Sequence, residues 1–315
     1  MDNDFLLEKL KNFGIENRKG FWEVAFSRCL GLLAPEELAR LRETTVAIPG
    51  LGGVGGGHLI ALVRSGVGSF KLADLDTFEP HNINRQYGAK AATAGREKLE
   101  VMVEEALSIN PYLRIERFPK GVSEENLDEF LSGVSVIIDG IDFFSFDLRR
   151  ALYRAAKEKG IPVITAAPLG FSCAILVFAP DRGLDFDRYF GVREGMSELE
   201  KLAAFAVGLA PWPTHLKYMD LSYVDIAAQR GPSSGIACLL CSAMAAMECI
   251  RIILGRPGLK PTPWFHQLDL YRMKLRRGYL PLGNRNPIQR LMIRLLIRRF
   301  KKALESCPQK AFTTS

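Results

Sequence analysis

The sequence predicts a doubly wound, mostly parallel α/β sheet, and three observations carry that expectation. Short apolar segments at 45–49, 69–74 and 134–139 alternate with segments of helical periodicity as far as residue 166. The segment VSVIID at 134–139 is almost wholly apolar, as a parallel strand covered on both faces requires. A glycine-rich turn at 50–55 joins the first apolar segment to the helix after it.

Taken in order, residues 1–43 read as N-terminal helices. Pro35 opens the last of these, where its missing N–H costs nothing. TVAIP at 45–49 reads as a short buried strand, 54–66 as the crossover helix and SFKLAD at 69–74 as the second strand. A helix over 95–110 keeps Leu99, Met102, Val103, Ala106 and Leu107 on one face. A strand at 113–118, a short helix at 124–132, a strand at 134–139, a helix at 148–159 and strands at 162–166 and 173–178 come next. Residues 180–232 carry Gly, Pro and Trp212 and read as a long excursion from the sheet, with a short helix near 197–207. Segment 234–254 reads as a buried helix, 264–274 as one late strand and 287–305 as a terminal helix. The expected division is a body over 1–286 and a basic amphipathic tail over 287–315.

A chain of 315 residues can bury a substantial core, and 48% hydrophobic with 24% charged residues is the balance of a globular protein. Residues 1–20 show no leader pattern, and no run reads as a membrane span. Six cysteines in a chain this long do not read as a disulfide framework and point to a reducing, cytoplasmic setting. The net charge is +7. Seven cations and no acid lie between Arg285 and Lys302, so the basic character belongs to the tail.

Gly50–x–Gly52–x–x–Gly55, with Gly53 inside it, is a Rossmann-like phosphate-binding turn. The first glycine permits the turn, the second lets phosphate approach the backbone, and the third lets helix pack on strand. The helix N-terminus offers free N–H groups and the positive end of its dipole. Asp74 lies 19 residues past Gly55 at the tip of the next strand, where an acid accepts hydrogen bonds from ribose hydroxyls. Asp76, Asn82, Arg85, Gln86 and Lys98 stand farther along. Of these, Arg85 and Lys98 supply fixed positive charge for a phosphate chain, which a plain dinucleotide turn does not need.

GLGGVG at 50–55, DLD at 74–76, NINRQ at 82–86, Lys98, INP at 109–111 and DGID at 139–142 stand together in order and spacing. In these elements the chain resembles the ThiF/MoeB/HesA family, bacterial relatives of ubiquitin-activating enzymes. The likeness is dense over 20–180 and looser over 234–254. It implies a homodimer whose sheet binds MgATP and which adenylates a carboxylate, usually the C-terminal glycine of a small ubiquitin-like or sulfur-carrier protein. By that resemblance Asp74 would hold ribose, Asn82, Arg85 and Lys98 would contact phosphates, Asp142 would hold Mg²⁺, and Arg28 would reach into the partner subunit's site. The chemistry agrees: attack of a carboxylate on the α-phosphate builds negative charge that cations and a metal stabilise.

Two departures bear on the fate of the adenylate. Many family members bind zinc through two CxxC pairs, but only Cys238–x–x–Cys241 is present here, so zinc is not expected. Thioester-forming members place a cysteine in the excursion, and 180–232 has none; Cys238 is the weak remaining candidate nucleophile. The histidines at 58, 81, 215 and 266 show no metal-ligand spacing. The segment 287–302 suits an anionic membrane surface, an acidic partner, RNA phosphate or packing on the body, and the first would make the protein peripheral to a membrane. The alternative functions are a tRNA threonylcarbamoyladenosine dehydratase-like enzyme and an NAD-binding oxidoreductase or scaffold. Arg85, Lys98 and Asp142 argue against the last two.

Overall fold

The computed structural model describes residues 3–226, 228–258 and 260–305; Cys307 and the rest of the expected tail after 305 lie outside them. One eight-stranded sheet runs in the order β3-β2-β1-β4-β5-β6-β7-β8. Strands β1 (Thr45–Pro49), β2 (Ser69–Ala73), β3 (Arg114–Phe118), β4 (Val136–Asp139) and β5 (Val163–Leu169) are parallel. Strands β6 (Ser172–Phe178), β7 (Trp264–Asp269) and β8 (Lys274–Tyr279) continue the sheet antiparallel.

Helices cover both faces, as the doubly wound expectation requires. The first core unites the central strands with α4 (Gly55–Val63), α5 (Lys98–Ile109) and α10 (Gly235–Leu254). The second gathers α6 (Leu127–Leu131), α7 (Phe146–Glu158), α8 (Phe186–Phe190) and α9 (Glu198–Leu209) on the other face. The N-terminal α1 (Asn3–Lys11), α2 (Arg18–Ala25) and α3 (Pro35–Glu43) come first, and Phe21, Trp22, Phe26 and Leu38 form a small core of their own. Pro35 occupies the first turn of α3, as its sequence position predicts.

Three expectations need correction. The segment 264–274 is not one strand but the start of a hairpin. Asp269 accepts the backbone N–H of Arg272 and Met273 adopts φ 48°, so the chain reverses into β8. The long departure from the sheet contains α8, which the sequence does not predict, because a five-residue helix leaves almost no periodic signal.

The run 235–254 is long and apolar enough to cross a membrane, contrary to the expectation that no segment is. Its composition follows from packing: it is a core helix lying on β5, β6 and α4. A Cβ on Gly57 of α4 would stand 2.2 Å from Ser242 Oγ, so any larger residue would make that hydroxyl move. Only half of α10 is buried, however. Ile236, Leu239 and Met247 remain exposed on its outer face.

Candidate nucleotide-binding site

The loop 50–54 leaves the carboxyl end of β1, beside the carboxyl end of β4. Strand order reverses between these two, since β2 lies on one side of β1 and β5 on the far side of β4. Doubly wound sheets bind ligands in the crevice outside such a switch point.

The glycines of this loop divide into two kinds. Gly50 has φ +88°, and a Cβ there would lie 2.2 Å from the carbonyl oxygen of Gly140. A Cβ on Gly55 would lie 1.8 Å from the carbonyl oxygen of Gly50. Both are demanded by the protein's own backbone. At Gly52 and Gly53 a Cβ would meet only Gln86 at 3.6 Å and Cys238 Sγ at 3.8 Å, ordinary contacts. Protein packing does not require glycine at these two positions, and the absence of a side chain there suits the approach of a phosphate to backbone N–H groups at the start of α4.

Asp74 braces this loop. One carboxylate oxygen accepts from Leu51 N at 2.6 Å and the other from Asp76 N at 2.9 Å. Burial raises its pKa, with the two backbone N–H groups and Lys98 opposing. Each oxygen keeps a second lone pair for a ribose hydroxyl. Lys98 is the first residue of α5, where the helix dipole disfavours a cation, yet it is only 7% exposed. Its ammonium meets Asp76 at 3.0 Å. A buried cation in an unfavourable helical position calls for a further anion, which a phosphate chain would be.

Asn82 is buried, and its side-chain oxygen accepts from Glu79 N, which shapes the turn. Arg85 is half-buried and donates to His81 O and Asn84 Oδ1. Gln86 is buried with its amide oxygen unpartnered. That orphaned acceptor suits a donor such as a ribose hydroxyl or a base amino group, while the glycine backbone at 52 and 53 suits phosphate oxygens.

Asp142 is exposed after β4 and accepts from Phe144 N at 2.9 Å. A Mg²⁺ held there would draw its remaining ligands from phosphates and water. Three residues earlier, Asp139 is buried and bonded to Arg149 at 2.8 Å, the Tyr153 hydroxyl at 2.9 Å and Ile141 N at 3.0 Å. The motif DGID contains Asp139, but sequence reasoning gives it no task. Arg149 and Tyr153, four apart on α7, were the available sign of a shared buried partner.

Arg28 is exposed on the turn Ser27–Cys29. Nearby Leu32 O accepts from Arg256, just past the end of α10, whereas Cys238 at the start of α10 touches the loop. Within one subunit Arg28 therefore belongs to the far end of that helix.

Cys238 is a neighbour of the phosphate loop that the sequence does not reveal. Its thiol is buried, which pushes its pKa up to about 11, and Arg85 is near enough to oppose the shift. A protonated thiol is a poor nucleophile. Cys241 is buried below it and hydrogen-bonded with Cys173. A cavity of about 640 Å³ lies elsewhere, between the carboxyl end of α7, the end of β6 and Arg251 to Arg256. Its arginines 251 and 256 are already paired with Glu248 and Glu37, and the glycine loop takes no part in it.

Fold and loop together define a doubly wound nucleotide-binding protein. The sequence pattern of the ThiF family matches residues 26–290, and the chain belongs to that family. It is similar to the tRNA threonylcarbamoyladenosine dehydratase of Haemophilus influenzae, with 37% identity over 47% of this chain and 57% of that protein. It is also similar to the sulfur carrier protein adenylyltransferase of Thermus thermophilus, with 30% identity over 46% of this chain and 53% of that protein. The chain spans about half the length of the curated relatives it matches. Among solved structures it resembles E. coli MccB with MccA, with a TM-score of 0.65, 17% identity and 85% of this chain against 74% of that one. It also resembles the E. coli dehydratase TcdA, with a TM-score of 0.55, 21% identity and 75% against 96% coverage. At these identities the structural likeness speaks for the fold.

Proposed function

We propose that this chain uses ATP to adenylate a carboxylate. The acyl substrate would be the C-terminal glycine of a ubiquitin-like or sulfur-carrier protein, or a peptide. A carboxylate oxygen bonds to the α-phosphorus, the bond to the β-phosphate bridging oxygen breaks, and pyrophosphate leaves. The observation that carries this reading is Lys98, buried at the start of α5 and presented toward the loop side through Asp76. Lys98 and Arg85 hold positive charge against the phosphates, Asp74 fixes the loop and the ribose, and backbone N–H groups beside Gly52 and Gly53 donate to the phosphate oxygens. Asp142 would hold Mg²⁺, which when bound supplies Lewis-acid polarisation of the phosphates.

The proposed working unit is a homodimer, with 1–286 as the adenylation body and 287–315 appended to it. The uncharged exposed stripe of Ile236, Leu239 and Met247 on α10 supports association, and Arg28 would act in the partner's site. The five described cysteines are free thiols, which supports a reducing compartment. A second reading, ATP-driven cyclisation of a carboxylate on a modified tRNA adenosine, is favoured by the dehydratases among the relatives.

ATP–pyrophosphate exchange, measured across candidate proteins, peptides and modified tRNA, tests both readings. Arg85→Ala and Asp142→Ala should each abolish exchange while the thermal melt is preserved. Normal exchange in both variants would overturn the site assignment, and exchange driven by tRNA alone would select the second reading.

A further inference from the structure

The last helix, α11 (Pro287–Glu305), docks by one face only. It packs along α9, and the Gln289 amide donates to Pro211 O. Gln289 is buried, and Met292, Ile293, Leu296, Ile297 and Phe300 are half-buried along the same side. The opposite face keeps Ile288, Leu291 and Leu295 at 64, 56 and 53% exposure, spaced three and four apart so that they form one stripe. Arg290, Arg294 and Arg298 run along one flank of this stripe and Arg299 stands on the other. None of these arginines, nor Lys301 or Lys302, makes an ion pair within 4 Å among the described residues, although Asp220 feels Arg299 and Glu200 feels Lys301 at longer range. Packing on the body therefore explains half of this helix and leaves its cationic, aliphatic half without an ion-pair or packing partner within contact distance among the described residues.

Further exposed apolar groups adjoin the start of the helix. Trp212, next to the Pro211 carbonyl that holds Gln289, is 52% exposed, with the Arg276 guanidinium 5.1 Å from its ring. Leu282 is exposed on the turn that leads into α11. An exposed indole and a further exposed leucine thus lie near the start of α11, by contact or by chain position.

We propose that this face seats the protein on an anionic lipid bilayer, with Ile288, Leu291, Leu295 and Trp212 entering the headgroup boundary and the arginines and lysines meeting acidic headgroups. Charge complementarity identifies the occupant. A second copy of the face would set cations against cations, and nucleic-acid phosphate would satisfy the cations but leave the aliphatic stripe in water. A bilayer takes both, because apolar side chains sink below the headgroups while long basic side chains reach up to them. Tryptophan favours that boundary for the same reason.

The test uses the full chain sedimented with vesicles of phosphatidylcholine alone or mixed with phosphatidylglycerol. The protein should bind the mixed vesicles, leave the neutral ones, and lose binding as salt rises. Arg294→Gln with Arg298→Gln should weaken binding by about fivefold per cation. Leu291→Glu with Leu295→Glu should abolish it with an unchanged thermal melt, since both side chains are exposed. A blue shift of fluorescence on binding should disappear in Trp212→Phe. Absence of binding to anionic vesicles, or equal binding by the two-leucine variant, overturns the proposal. So does tighter binding of an RNA oligonucleotide that the leucines do not affect, or a dimer broken by the leucine changes in protein that ignores vesicles.

Discussion

The parallel and antiparallel halves of the sheet use polar residues in opposite ways. Around β1, β2 and β4, polar groups and glycines open toward a crevice: Gly52 and Gly53 leave space, Gln86 leaves an acceptor, and Lys98 is buried with one exposed carboxylate as its partner. Around β6 and β7, polar groups turn mainly toward one another, although Gln267 Oε1 and Asp269 Oδ2 have no partner among the described residues. Gln267 donates to Ser172 and Thr214, and Asp269 accepts from Tyr218 and Arg272, which ties the excursion to the hairpin. On the proposed reading, the first half commits its residue identities to a ligand, the second to its own chain path. Changes in the two halves should therefore separate binding from stability.

The largest effect should come from the glycines of the parallel half. Gly55→Ala forces a Cβ onto a backbone oxygen and should cost about 3 kcal/mol or more in urea denaturation. Gly53→Ala should change stability by less than about 1 kcal/mol yet weaken ATP binding in calorimetry. Equal losses of stability in the two variants would erase the distinction between glycines that serve packing and glycines that serve a ligand.

In the antiparallel half, Asp269→Ala leaves the Arg272 N–H and the Tyr218 hydroxyl without their carboxylate. It should cost about 1–3 kcal/mol, while ATP affinity of the folded protein stays at its original value. A fall in affinity would show that the two halves share the site.

A smaller effect appears in pH, and one histidine from each half reports it. Burial pulls His58 down to about 3 and His215 down to about 4, the latter against the opposing field of Asp269. In the unfolded chain both protonate near 6.5. Below that pH the unfolded state binds protons that the folded state refuses, so stability falls as pH drops from 6.5 toward the folded values, by about 1.4 kcal/mol per pH unit for each histidine. His58→Met should flatten this acid limb by one proton, and a limb unchanged in slope would mean that His58 is not buried as a neutral ring.

The sequence made the parallel half legible because its constraints are local. The turn at 50–55, the acid at Asp74 and the cluster from Asn82 to Gln86 all lie within 37 residues. Their types follow from turn geometry and phosphate chemistry. The antiparallel half depends on partners far apart in the chain: β6 pairs with β7 across the whole excursion, and Gln267 meets Ser172 from 95 residues away. No short-range pattern records such a contact, so the polar cluster stayed out of view; the β7–β8 hairpin is local, but its turn at 270–273 has no glycine or proline to mark it. Cys238 shows the same limit. The sequence places it at the start of the helix expected over 234–254, but only the fold places its sulfur beside Gly53.

The end of the excursion is fastened to the candidate site itself. The Asn84 side chain donates to Ser233 O at 3.0 Å, and a Cβ on Gly235 would lie 2.7 Å from Asn84 O. Asn84 also accepts a hydrogen bond from Arg85. The segment that would greet an incoming macromolecule is thus moored, one residue away, to the arginine assigned to the phosphates. Through this one residue, Asn84, the end of the excursion and the Arg85 guanidinium share hydrogen bonds.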